Sequence, residues 1–118
     1  RLMIDAAVQP AGATAELALD LARIAPFGAG NPEPRFVLPA ARVTKADVVG
    51  ENHVRCFLTG ETGGRLKAIS FRSLGKPHGD AILSSNGMPL HIAGHIRVDR
   101  WQGREEAQII IEDVAAVQ

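Results

Sequence analysis

Residues 26–34 read Pro-Phe-Gly-Ala-Gly-Asn-Pro-Glu-Pro, and no other stretch restricts the folding of this chain so tightly. The prolines fix φ and push the residues before them toward extended geometry, while Gly28 and Gly30 permit turns closed to other residues. Neither a helix nor a strand runs through such a segment. It predicts a stiff, shaped connector and divides the 118 residues into two textures.

Before the connector the pattern is helical. Leu17, Leu21 and Ile24 recur at i, i+4 and i+7, and Ala18, Ala22 and Ala25 widen that stripe. Thr14 suits the N-cap, Glu16 favours the first turn, and Pro26 and Gly28 end the helix. Upstream of it, Leu2, Met3 and Ile4 look extended and residues 5–12 read as a loop holding Pro10.

After the connector the texture is β. Residues 35–49 suggest a long or bent strand. In residues 53–59, Val54, Cys56 and Leu58 share one face, and His53, Arg55, Phe57 and Thr59 the other. Gly60, Gly63 and Gly64 mark a hairpin, and residues 65–71 return. Residues 73–87 hold Gly75, Pro77, Gly79 and Asn86-Gly87, with room for a short helix around 80–84. Leu90, Ile92, Gly94, Ile96 and Val98 then alternate, Gln102-Gly103 turns the chain, and residues 107–114 form the last strand. Phe36 and Phe71 are expected in the core, and Phe27 is expected to anchor the connector. Five strands with a short helix or irregular insert between the third and fourth match a five-stranded OB-type barrel, mainly β, with an N-terminal amphipathic helix. A small β-sandwich or another five-stranded barrel gives nearly the same pattern. The expected division is 1–34 for the preceding region, helix and connector, and 35–118 for the barrel.

A composition of 46% hydrophobic and 22% charged residues is that of a folded domain, and this length buries about two-thirds of the unfolded surface without staples. The one cysteine, Cys56, has no partner for an internal disulfide, so a reducing, cytoplasmic setting is expected. No apolar run is long enough to span a bilayer, and no membrane role is expected. A start at Arg1 without methionine suggests part of a longer chain. Formal net charge is zero, but residues 1–34 carry two basic and four acidic groups, leaving 11 basic and 9 acidic beyond them. Placement of charge must therefore decide whether an anion binds.

Catalytic chemistry is not visible. His91 and His95 share a strand face but stand about 13 Å apart, too far for one metal ion. His53 and Cys56 point to opposite faces, and the neighbouring acids Glu105-Glu106 and Glu112-Asp113 diverge on their strands. Cys56 sits among inward positions, where a small buried hydrophobe is the expectation. Gly28-Ala29-Gly30 lacks the following helix and the lysine that a phosphate loop requires.

What the residues do offer is a binding surface. Arg55, Phe57 and Lys67 fall on the outer face of the second and third strands, and Arg97, Arg100, Trp101 and Arg104 on the last hairpin. OB barrels bind single strands across those elements, with cations tracking phosphates and aromatic rings stacking bases at about 1–3 kcal/mol each. Four phosphates neutralised this way would weaken binding about 50-fold between about 50 and 200 mM salt. The plainer alternatives are that Phe57 belongs to the core and that the arginines are solvated charges.

The segment Pro26-Phe27-Gly28-Ala29-Gly30-Asn31-Pro32-Glu33-Pro34-Arg35-Phe36 closely resembles the PFGxGNPxPxF signature of RecJ-type exonucleases. Leu66-Lys67-Ala68-Ile69-Ser70-Phe71 resembles that family's third barrel strand; Val98-Asp99-Arg100-Trp101-Gln102-Gly103 and Gln108-Ile109-Ile110-Ile111-Glu112-Asp113 resemble its final hairpin. The resemblance implies part of a bacterial enzyme that degrades single-stranded DNA from the 5′ end in repair and recombination. It implies Mn²⁺ or Mg²⁺ for the parent, held by an Asp-His-His motif and other residues of an N-terminal domain. Neither that motif nor the family's GGH element occurs here, so no catalytic residue, metal ligand or cofactor is assigned to this chain. The implied partners are single-stranded DNA, the upstream nuclease domains and, as an alternative role, single-strand-binding protein docking on the barrel. A further alternative is a brace for the nuclease core.

Overall fold

The computed structural model describes residues 4–118; Leu2 and Met3, expected to be extended, lie outside them. In chain order the elements are β1 (Ala6–Ala7), a 3₁₀ turn (Pro10–Gly12), α1 (Ala15–Arg23), β2 (Phe36–Val49), β3 (His53–Gly60), β4 (Gly63–Ser70), α2 (Pro77–Leu83), β5 (Leu90–Trp101) and β6 (Arg104–Ala116).

The strands pair in the order β1-β2-β3-β4-β6-β5, and β5 pairs back onto β2, closing a barrel of the five long strands. All contacts in that ring are antiparallel except β4–β6. A five-stranded ring with a short helix between its third and fourth strands is the OB arrangement. β1 is a two-residue addition lying parallel to the start of β2. The expected loop over residues 5–12 therefore contains both this strand and the 3₁₀ turn.

Alternation builds the interior. Val54, Cys56 and Leu58 of β3 and Leu66 and Ala68 of β4 are buried, as are Ile92 and Ile96 of β5 and Ile109 and Ile111 of β6. They meet Leu38 and Phe36 from β2. α2 packs against β2, β3 and β6 and inserts Ile82 into that core. α1 lies on β5 and β6, led by Ala18, with Leu17 and Leu21 partly covered. Its start is fixed as the sequence suggests: Thr14 Oγ1 accepts the Leu17 N–H at 3.1 Å.

Two expectations about packing change. Ile24 is 53% exposed, because the helix ends at Arg23 and its last turn leaves the barrel before Pro26. Phe71 is 54% exposed, because it follows the last residue of β4 with the parity of the outward residues. Its ring meets the His53 ring edge-on, with centroids 5.2 Å apart. Phe57 points outward and is half-buried, and Phe27 is half-buried beside α1.

The connector is held by its own residues. Asn31 donates from its side-chain amide to the carbonyls of Ile24, at 2.6 Å, and Pro26, at 3.1 Å. Gly28 and Asn31 also exchange backbone hydrogen bonds of 2.8 and 3.1 Å. The downstream end is tied to the barrel. Glu33 accepts two hydrogen bonds from Arg97 of β5, at 3.1 and 2.8 Å, and Arg35 pairs with Glu112 of β6 at 3.1 Å.

Glycine is required at position 94, where the backbone of β6 lies against β5. A Cβ on Gly94 would stand 2.0 Å from the Ile110 carbonyl oxygen, at the point where the β5–β6 register shifts. A Cβ on Gly28 would meet nothing within 4 Å. Gly94→Ala is expected to lower the free energy of unfolding by at least about 1–3 kcal/mol. Gly28→Ala is expected to change it by less than about 0.5 kcal/mol. Urea denaturation of the two variants beside the unaltered chain checks both.

Candidate nucleic-acid interface

The outer face of the barrel carries a transverse row set by strand register. Lys45 of β2 lies beside Phe57 of β3, which lies beside Lys67 of β4, which lies beside Gln108 of β6. Neighbouring strands are about 4.8 Å apart, so these side chains form one continuous strip. Arg55 and Ile69 make the next row, and Asp99 and Trp101 reach in from β5. Together they enclose a groove of about 540 Å³. Trp101 stands at its rim, 55% exposed. A second concavity of about 400 Å³ shares Phe57, Arg65 and Lys67 with the first and runs to the 3₁₀ turn and the start of α1.

Of the residues singled out from sequence, the fold brings Arg55, Phe57, Lys67 and Trp101 into this groove. Arg97 and Arg100 face a different cavity of about 320 Å³, between α1, the connector and β5. Arg104 stays at the hairpin, 3.7 Å from Glu106. The hairpin curls round the barrel, so its ring and its cations part company.

All five of the expected cations have acidic partners. Arg55 binds Asp47 through two nitrogens, at 3.3 and 2.8 Å, and both side chains are 46% exposed. Lys67 Nζ lies 2.7 Å from Asp99 and 3.9 Å from Glu106, with its side chain only 18% exposed. Arg97 is held by Glu33 at 2.8 Å and Arg100 by Glu105 at 3.0 Å. An exposed pair such as Arg55–Asp47 contributes about 0–1 kcal/mol and opens readily. Lys67, between two carboxylates and mostly covered, does not. The hydrogen bonds from Arg97 hold the Glu33 carboxyl below the usual glutamate range, and those to Glu33 hold Arg97 above its ordinary value.

Two groove cations escaped the sequence reading. Lys45 and Arg65 both line the groove, and among the described residues neither has a carboxylate within ion-pair distance. Lys45 lies just past an irregularity between Val43 and Lys45, where the register of β2 against β3 shifts and the inside–outside count resets. Nothing in the sequence marks that shift. Arg65 was legible: it has the parity of Lys67 and Ile69 on β4. Its Cζ lies over the Phe57 ring, 3.7 Å from the centroid.

Among the described residues no group of three His, Cys, Asp or Glu is placed to hold a metal ion. His91 and His95 have separate tasks. The Nδ1 of His91 accepts the Ala40 N–H at 3.1 Å, while His95 lies 2.6 Å from Glu112 and 2.9 Å from the Pro34 carbonyl oxygen. Burial pushes the Cys56 thiol up to about 12, which leaves almost no thiolate to react at neutral pH.

Closed ring, strand order and inserted helix define an OB barrel, here with a groove of about 540 Å³ on its outer face. Residues 4–113 match the model of the RecJ OB domain, and the chain belongs to that family. RecJ chains are among the solved structures that share the fold. RecJ from Thermus thermophilus in complex with Mn²⁺ superposes with a TM-score of 0.71 and 22% identity, over 99% of this chain and 16% of that one. The Mg²⁺ complex of RecJ from the same organism gives a TM-score of 0.64 and 22% identity, over 94% and 16%. The chain thus spans about 16% of the length of these RecJ chains. No curated protein sequence matches it. Among the described residues no helix is long and apolar enough to cross a membrane. The metal ions of the Thermus complexes find no fitting donor set among the described residues.

Iodoacetamide is expected to leave Cys56 unlabelled at about pH 8 and to react only once denaturant unfolds the barrel. Mass spectrometry across a urea series checks this. For Glu33 the folded-state carboxyl is depressed, so its pairing with Arg97 stabilises the fold fully above the ordinary glutamate range. That contribution is lost as pH falls through the lower folded value. Carboxyl NMR titration is expected to show Glu33 titrating below the exposed glutamates, and to move it upward in Arg97→Gln.

Proposed function

We propose that this chain is the strand-guiding OB module of a RecJ-like 5′→3′ single-stranded DNA exonuclease acting in bacterial DNA repair and recombination in the cytoplasm. Cleavage and the Mn²⁺ or Mg²⁺ it uses belong, in this reading, to the nuclease domains of the parent chain. Residues 1–34 deliver and brace the barrel of residues 35–118. The observation that carries the reading is the groove itself. An exposed Trp101, the outward Phe57, and the cations Lys45 and Arg65, which among the described residues pair with no carboxylate, converge on the strands with which OB barrels hold single strands.

Charge pairing sets the strength of that grip. Among the described residues Lys45 and Arg65 have no carboxylate to leave before meeting phosphate, Arg55 is recruited only by opening its pair with Asp47, and Lys67 stays with Asp99. Binding by the isolated module is then weak, in the micromolar range or above, and driven more by stacking than by charge.

A second reading rests on the cavity lined by Leu21, Phe27, Ile96 and Arg100. Its apolar walls, rimmed by Arg97 and Arg100 with their partners Glu33 and Glu105, suit a peptide of a protein partner, single-strand-binding protein or the nuclease core. Trp101 is not among its lining residues, so substitution there separates the two readings.

As the only tryptophan, Trp101 reports on the groove directly. Its fluorescence is expected to be quenched by an unlabelled oligothymidylate. With two phosphates neutralised, affinity should fall about sevenfold between about 50 and 200 mM salt. Trp101→Ala should weaken binding by about 1–3 kcal/mol, read by anisotropy of a labelled strand. A salt-independent affinity, or unchanged binding by Trp101→Ala, removes the strand-guiding reading.

A further inference from the structure

We propose that Arg65, carried on the face of Phe57, is the surface on which an unpaired base stacks, so that the groove holds a strand by its bases as well as its phosphates. The inference rests on the strand-guiding reading and goes beyond it by naming the recognition element.

Phe57 is the aromatic ring that β3 and β4 bring into the groove, yet it is not open. The Arg65 guanidinium carbon lies 3.7 Å from the ring centroid. That is contact distance, so a base cannot lie on this face of the ring while Arg65 remains. The pair is built by strand register. Phe57 is opposite Lys67, and Arg65, two residues before Lys67 on the same face, is its diagonal neighbour, within reach of a long side chain. Leu58 and Leu66, the inward residues beside them, are both fully buried and hold the two strands in place.

A guanidinium is planar and weakly hydrated, and it stacks on aromatic faces and on nucleobases alike. Seated on Phe57, its other side is a flat cationic surface. Arg55, Lys67, Arg97, Arg100 and Arg104 each have a carboxylate within ion-pair distance, whereas Arg65 has none among the described residues. Position adds a separate reason. Phe57, Arg65 and Lys67 belong both to the groove with Trp101 and to the concavity that reaches the 3₁₀ turn. Arg65 therefore stands where the two hollows meet, and a strand running from one to the other passes over it. The ligand class is a polynucleotide whose bases are unstacked and unpaired; a duplex has no base face to offer.

The test compares two oligonucleotides of equal length, one ordinary and one of abasic sites throughout, against the 118-residue chain. The ordinary strand is expected to bind at least about fivefold more tightly, the size of one base stack. Arg65→Lys keeps the charge and removes the plane. It should weaken the ordinary strand about fivefold and leave the abasic strand unchanged. Phe57→Leu should give a similar base-dependent loss, and the double variant no more than the larger single loss. Thermal melting of both variants separates a folding defect from a binding one, since each alters an outward side chain. Loss in Phe57→Leu with none in Arg65→Lys would put the base on the ring itself and overturn the proposal. Equal losses on both oligonucleotides would make Arg65 a phosphate ligand only, with the same consequence. If the unaltered chain binds neither strand, the strand-guiding reading falls and this inference with it.

Discussion

The barrel closes because one strand serves two neighbours. The first half of β2, from Phe36 to Ala41, pairs with β5, and the second half, from Arg42 onward, pairs with β3. To change partners the strand must bend, and the bend falls at Ala40, whose φ is 52°. That conformation costs a non-glycine residue about 1–2 kcal/mol. Two features hold it there: the preceding Pro39, which cannot donate to a ladder, and the hydrogen bond from the Ala40 N–H to His91 of β5. Once the ring is closed, Leu38, Leu58, Ile92 and Ile109 lose all contact with solvent, and Leu66 nearly all. The outer faces of β2, β3 and β4 are then fixed side by side. The groove is a consequence of that closure, since Lys45 reaches Phe57 only because the second half of β2 has turned to β3.

The segment before the barrel is part of the same construction. α1 covers β5 and β6, the 3₁₀ turn rests on β3 and β4, and Arg97–Glu33 and Arg35–Glu112 tie the connector down. The 3₁₀ turn and Thr14 also wall the second concavity. Within the connector, Asn31 closes the turn, and Gly28 and Gly30 have empty space where side chains would stand. The stiffness inferred from the prolines thus has a hydrogen-bonded cause. The glycines answer to no packing need within the described residues.

Alternation in the sequence is enough to reveal the inward row Val54, Cys56, Leu58; the same parity favours an outward Phe57 but leaves the core open to that ring. Turn chemistry located the last hairpin: Gln102 and Gly103 both have positive φ, the two-residue turn that suits twisted strands. Phe71 has the hydrophobicity of a core residue but the outward parity of Arg65 and Lys67, and parity decides its place. Lys45 was hidden by the register shift after Val43. The fates of Arg97, Arg100 and Lys67 were illegible for a deeper reason. Which carboxylate meets which cation depends on contacts between strands far apart in the chain, such as Lys67 with Asp99, and no local pattern encodes that register.

Ion pairing across the groove changes what kind of binder the proposed module is. A phosphate that takes Arg55 from Asp47 exchanges one exposed ion pair for another, and each is worth about 0–1 kcal/mol. Little is gained, and little is needed to reverse it. Stacking on rings and on a guanidinium contributes about 1–3 kcal/mol per base and is indifferent to sequence. A groove dominated by the second kind of contact passes from base to base with similar energy at each step. Cations left unpaired along the whole path would hold each phosphate in place instead. For a strand that must advance through an exonuclease, the carboxylates beside Arg55 and Lys67 are therefore consistent with the proposed guiding role, because they keep the electrostatic part of the grip small.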